Sequence, residues 1–251
     1  MSNVLTNGCE ITVLGTDNVV FHTLDDWGLA IGNNDCIGDP VQYTDFVTIK
    51  GRSGLLDLSE ALTGYPTYKS RKITIELGGL RDPKLWDSVM SDLRNKVDGR
   101  LVRLTFDNDK NFYWEGRIHL EDFDRTRNLG TFKLSMPNAD PYKYSWQEYN
   151  EDWLWNPFDF ETGYTTMKQS HTITGEYIVT IPRGYRPIVP VIEVETINTY
   201  LTVKKGIDGR AIRLSVGKNE IPQILVNGDT EETIIFNGDG TFSINFRGGS
   251  L

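Results

Sequence analysis

Cysteine is nearly absent from this 251-residue chain: Cys9 and Cys36 are the only two. Two cysteines build no disulfide framework, and neither belongs to a CxxC pair that would mark a zinc site. Both are expected as free thiols in a reducing compartment. Histidine is almost as scarce. His22, His119 and His171 stand far apart in the sequence, and none lies in an HExxH pattern. A nucleophile elbow and a P-loop glycine–lysine signature are missing as well, so no catalytic, metal or cofactor-binding residues are assigned and no cofactor is expected. No apolar run approaches the 18 or more residues of a membrane helix, and no membrane insertion is expected. The start, Met1-Ser2-Asn3-Val4, has no basic region leading into an apolar run, so no signal peptide is expected. Basic residues are outnumbered, 26 Lys and Arg against 35 Asp and Glu, for a net charge of −9. Residues 1–144 hold 17 basic and 21 acidic groups, and residues 145–251 hold 9 and 14, so the imbalance is not a tail. Duplex binding relies on Lys and Arg against phosphates, and no specific nucleic-acid partner is expected of this balance.

What the chain does hold is short β-type runs. Ile11-Thr12-Val13-Leu14, Ile73-Thr74-Ile75-Glu76-Leu77, Tyr177-Ile178-Val179-Thr180-Ile181, Thr233-Ile234-Ile235-Phe236 and Phe242-Ser243-Ile244-Asn245-Phe246 are examples. Turn-forming residues punctuate them, among them Asn227-Gly228 and Asn237-Gly238-Asp239-Gly240, which are expected to close hairpins because glycine supplies positive φ. Many short strands so divided point to a mainly β protein built of sandwiches, not of βαβ units.

One segment is predicted to be helical. Asp82 can cap it, Pro83 suits its first position, and Leu85, Trp86, Val89, Met90, Leu93 and Val97 recur at helical spacing before Gly99 ends it. A hairpin is expected next. Val102, Leu104 and Phe106 share one face of its first strand, Phe112, Trp114 and Ile118 share one face of its second, and residues 107–111 form the turn. Helix and hairpin together make a self-contained excursion, about residues 82–118. Its apolar residues Trp86, Met90, Phe112, Tyr113 and Trp114 are candidates for an oligomer interface. Asp107-x-Asp109-x-Asn111 has the alternating oxygens of a calcium loop, but Phe112 stands where glycine is needed and Ile118 where the bidentate glutamate belongs. A polar hairpin turn is the expectation.

Pro137 and Pro141 mark a domain boundary near residues 137–145. Residues 142–164 then hold nine of the 28 aromatics. Trp146, Trp153 and Trp155 are candidates for a domain or partner contact, since Trp and Tyr are enriched at interfaces. The alternative is a flat platform for cell-surface glycans, which would make the chain a carbohydrate-binding module.

A longer pattern is more specific. Trp27-Gly28-Leu29 is followed by Gly51-Arg52-Ser53-Gly54-Leu55-Leu56-Asp57-Leu58, by Tyr65 and Tyr68, and by Arg71-Lys72-Ile73-Thr74-Ile75. The Pro-started helix, the strand Tyr113-Trp114-Glu115-Gly116-Arg117-Ile118 and Asp140-Pro141-Tyr142 complete it. Over about residues 27–144 the chain resembles the distal tail protein (Dit) family of long-tailed bacteriophages, a baseplate hub component. The resemblance implies two β-sandwich domains. The first, residues 1–144, carries one α-helix and a β-hairpin excursion that acts as a belt against the next subunit. The second, residues 145–251, is galectin-like. It also implies a non-enzymatic virion protein at the tail tip, assembled in the host bacterial cytoplasm as a homohexameric ring through which DNA passes. The implied partners are the tail tube protein, a tail-associated lysin or hub protein, and a receptor-binding protein for host adhesion. Gly51, Gly54 and Asp57 fall on the family pattern and read structurally, the glycines for a tight turn and Asp57 for backbone amides. Six copies would carry about −54, an acidic wall that repels passing DNA.

Overall fold

The computed structural model describes residues 7–32, 37–79, 82–126, 129–148, 170–181, 187–227 and 231–251. Trp153, Trp155 and most of the aromatic segment lie outside them. The chain is mainly β and divides into two compact units, Met1–Lys143 and Tyr144–Leu251.

The first unit opens with β1 (Cys9–Val13), β2 (Val19–His22), the short α1 (Thr23–Trp27) and β3 (Leu29–Ile31). Then follow β4 (Phe46–Thr48), β5 (Leu55–Asp57), β6 (Arg71–Gly79) and α2 (Trp86–Lys96), which a 3-10 turn at Pro83–Leu85 leads into. The last strands are β7 (Leu101–Phe106), β8 (Phe112–Arg117), β9 (His119–Thr126) and β10 (Leu129–Ala139). Two antiparallel sheets result, ordered β8-β7-β1-β2 and β3-β6-β10-β9. Alternate residues of β1 and β7, such as Ile11 and Leu104, and of β6 and β10, such as Ile75 and Leu134, enter one buried core, which is what makes the pair a sandwich. The predicted helix is present. The Asp82 carboxylate accepts the Lys84 amide at 3.0 Å, and Gly99, at φ 70, follows its end. Trp86, Val89, Leu93 and Val97 add to the same core.

The motif Trp27-Gly28-Leu29 has a local cause. Gly28 takes φ 66 to end α1, which swings Leu29 into β3, while the buried Trp27 donates its indole N–H to Asp92 of α2 at 2.8 Å. No helix is expected at Thr23–Trp27 from sequence, because five residues carry too little period to be read.

The second unit contains β11 (Lys143–Glu148, starting at the last residue of the first unit), β12 (Ser170–Ile181), β13 (Val191–Lys205), β14 (Ile212–Arg213), β15 (Gly217–Glu220), β16 (Glu232–Asn245) and β17 (Arg247–Ser250). Strands β12, β16, β13 and β14 are neighbours in that order, with β15 also on β13. β17 pairs with β11, and the Arg247 guanidinium donates to the carbonyls of Ser145 and Trp146 at 3.1 Å each.

Here the structure corrects the sequence reading. Asn237-Gly238-Asp239-Gly240 closes no hairpin. It lies inside β16, and the two runs around it are halves of one strand. Phe236 and Phe242 show what happens there. Six residues along a straight strand would hold them about 20 Å apart, yet their rings stack at 4.0 Å and 20°. The strand folds back on itself. β12 does the same: His171 and Tyr177, again six residues apart, bring their rings to 5.0 Å, with Gly175 between them at φ 104. Gly175 pairs with Gly238, and β13 accommodates the fold with an irregularity between Ile197 and Leu201. The glycines are required on two counts. Gly238 has φ 139, and a Cβ on it would collide with the Tyr200 carbonyl oxygen; a Cβ on Gly240 would collide with that of Thr196. One sheet, creased across three strands, thus supplies both walls of a core holding Ile192, Val194, Val203, Phe236 and Phe242.

Candidate assembly site

The expected helix–hairpin excursion is part of the sandwich itself: β7 pairs with β1, α2 packs on the same core, and most of the aromatic residues of residues 82–118 face inward. Trp86 is 5% exposed and meets Phe123 edge-to-face at 5.9 Å and 85°. Gly79 and Gly130 form its slot: a Cβ on either would come within about 3 Å of the indole, at 3.1 and 3.0 Å. Trp114, opposite Leu104 in the hairpin, is buried beneath the Arg71 guanidinium, whose carbon lies 5.1 Å from the ring centroid. Tyr113 is buried under Arg103 at 4.6 Å. Trp86 and Trp114 therefore build the first unit's own interior, while Tyr113 lies on the other face of its sheet. Met90 and Phe112 are half-buried and are the members of the set with surface to offer. Trp146 is half-buried in β11.

The turn at residues 107–111 is a polar hairpin turn. Its carboxylates point to separate partners. Asp107 accepts the Gly8 amide at 2.7 Å and meets His22 Nε2 at 3.1 Å, while Asp109 meets the Lys143 ammonium at 2.6 Å. Burial pushes the Asp107 carboxyl up, but the hydrogen bonds from His22 and Gly8, with the charges of His22 and Lys110, outweigh it and hold the group below the usual range. Among the described residues no cluster of three or more His, Cys, Asp or Glu could hold a metal ion. The histidines are dispersed over separate partners: His22 on Asp107 and Asp25, His119 on Asp98, and His171 on the Tyr177 hydroxyl at 3.0 Å.

The apolar surface that sequence reading missed lies elsewhere, between β3 and β6. The Ile37 bridge to Ile73 and the Gln42 bridge to Tyr68 form the stem of an antiparallel ribbon, which continues into the β4–β5 hairpin. Gly51 at φ 85 and Gly54 at φ 83 turn its tip, and Asp57 accepts the Ser59 amide at 2.9 Å and the Ser59 hydroxyl at 2.6 Å. The family pattern around Gly51, Gly54 and Asp57 thus shapes an arm. Every residue from Tyr43 to Leu55 is exposed, including Phe46, Val47 and Ile49. β-branched and aromatic residues at such density normally report burial; on this arm they are exposed. The G-x-x-G-x-x-D spacing was the available signal, but it speaks of turns, not exposure.

No family model and no curated protein matches the chain. Among solved structures, the Dit protein (gp 19.1) of SPP1, presented as a paradigm of the hub adsorption apparatus in phages infecting Gram-positive bacteria, superposes with a TM-score of 0.60. The chain shares the fold of a phage Dit protein. The match covers 95% of this chain and 98% of that one, so it extends over both units, at 11% identity. At that identity the likeness is one of fold, and it agrees with the Dit resemblance of residues 27–144.

Proposed function

We propose that this protein is a non-enzymatic hub of a phage or prophage-derived tail tip. One observation carries the reading: the fold shared with SPP1 Dit runs through both units and nearly the whole length of each chain. An arm that leaves apolar side chains in water supports it, because a single copy is then incomplete. In this reading six copies close head to tail into a ring around a channel for DNA. The ring joins the tail tube protein to a tail-associated lysin or hub protein. The second unit, as a galectin-like sandwich, carries the receptor-binding apparatus for host adhesion. The proposed location is the virion baseplate, after assembly in the host cytoplasm.

The test is the mass of the purified full-length protein over a concentration series, joined to electron microscopy of the largest species. Closed sixfold rings are expected. A protein that stays monomeric both alone and mixed with the tail tube and hub proteins overturns the ring.

A further inference from the structure

We infer that Arg71 heads a seat for a small oxyanion in the first unit, its guanidinium offering its N–H donors to one phosphate or carboxylate group beside Asp39. The inference stands apart from the hub reading, and its test needs no ring.

Position is the first observation. Alternate residues of β6 are buried, and Arg71 opens the series that Ile73, Ile75 and Leu77 continue in the core. An aliphatic residue would fill that place with no polar group to desolvate, yet an arginine stands there, 7% exposed. A guanidinium taken so far from water needs hydrogen bonds and a counter-charge. The second observation is that it has neither within reach. Nε is sealed from solvent and has no hydrogen-bond partner. The Trp114 ring, 5.1 Å away, fixes the plane of the group and takes none of its donors as an acceptor would. On one side β10 places Ala139 opposite it. On the other, the Ile37–Ile73 bridge, the Gly38 amide on the Lys72 carbonyl and the Lys69 amide on the Val41 carbonyl hold one register, which sets Asp39 opposite Arg71. The third observation is what Asp39 does there. Its charge bears on Arg71, but it is exposed, and among the described residues no carboxylate forms an ion pair with the guanidinium. Burial pushes the pKa of Arg71 down, the charge of Asp39 opposes this, and the group stays a cation. A fork of donors held by a ring, with hydrogen bonds unmade and a charge unpaired, fits an anion that accepts two parallel bonds. Phosphate and carboxylate share that chemistry. Asp39 stands in water, where its repulsion of such an anion is screened.

The experiment is thermal unfolding of the full chain titrated with inorganic phosphate, and separately with acetate, at constant ionic strength made up with chloride. The first-unit transition of the wild type is expected to rise by about 2–4 °C at a tenfold excess over Kd. R71M is expected to lose that rise while starting from a higher midpoint in chloride, because it no longer buries an uncompensated charge. R71K keeps the charge without the fork and should bind about tenfold more weakly or worse. D39N removes the neighbouring negative charge and should bind about threefold more tightly. A rise with phosphate alone assigns the seat to phosphate, and one with acetate alone assigns it to a carboxylate. No rise with either anion in the wild type overturns the seat, and so does a rise of equal size in R71M. A Kd unchanged or raised in D39N overturns its placement beside Asp39.

Discussion

Trp86→Ala is the substitution whose outcome separates a core tryptophan from an interface one. The indole is 5% exposed within a single copy, packs edge-to-face on Phe123, and fills a slot floored by Gly79 and Gly130. Truncating a buried tryptophan costs about 3–5 kcal/mol, and the cost depends on how far the surroundings collapse into the space. Two glycines have no side chain to move, so the upper half of that range is expected, about 4 kcal/mol. With a urea m-value of about 2 kcal/mol per molar, the unfolding midpoint of the first unit falls by about 2 M. Circular dichroism and intrinsic fluorescence, with five tryptophans remaining, should show an earlier first-unit transition and an unmoved second-unit one. Gly130→Ala tests the slot from the other side, forcing a methyl into the indole at a cost of about 1–3 kcal/mol. The reasoning is refuted if Trp86→Ala leaves the midpoint in place while self-association is lost, for the side chain would then act between copies.

Gly238→Ala should destabilise the second unit by at least about 2 kcal/mol, from the positive φ together with the collision at the Tyr200 carbonyl; an unchanged thermal transition counts against the crease. Burial holds the His171 imidazole below its ordinary value, so the unfolded chain takes up its proton first on acidification. Stability is therefore expected to decline as pH falls below about 6.5, and His171→Phe should flatten that part of a stability-against-pH curve. Asp107 has the opposite logic: its lowered value gives stability above about pH 4 that is lost as pH falls through the folded value. Asp107→Asn should remove that acid-dependent part and cost about 1–2 kcal/mol at neutral pH by weakening the links to Gly8 and His22, measured by denaturant titration at several pH values.

What could be read from sequence was what is decided within a few residues. Asp82 and Pro83 start a helix by local geometry, and Gly51 and Gly54 turn a chain wherever they stand. The alternation of Ile73, Ile75 and Leu77 needs only one buried face. The misses were decided by distant partners. Asn237-Gly238-Asp239-Gly240 has hairpin chemistry, and only the pairing of Gly238 with Gly175 and its approach to Tyr200 make it a crease. Trp86 and Trp114 show the same limit from the other side. An apolar residue on a helix or hairpin looks alike whether a glycine slot of its own chain or a neighbouring chain covers it. For the arm, Gly51 and Gly54 announce a turn, but nothing local in Phe46, Val47 or Ile49 tells an exposed strand from a buried one.

The crease has a further consequence for how the second unit finds its pairing. A one-residue slip of β12 against β16 would invert every side chain, but it would also move Gly175 off Gly238 and place a side-chain-bearing residue where the strand must fold. Thr174 or Glu176 would then have to occupy the positive φ that Gly175 takes at 104. The glycines thus work as a key cut across neighbouring strands: only one alignment lets the sheet shut, and misaligned chains stay open and unpacked.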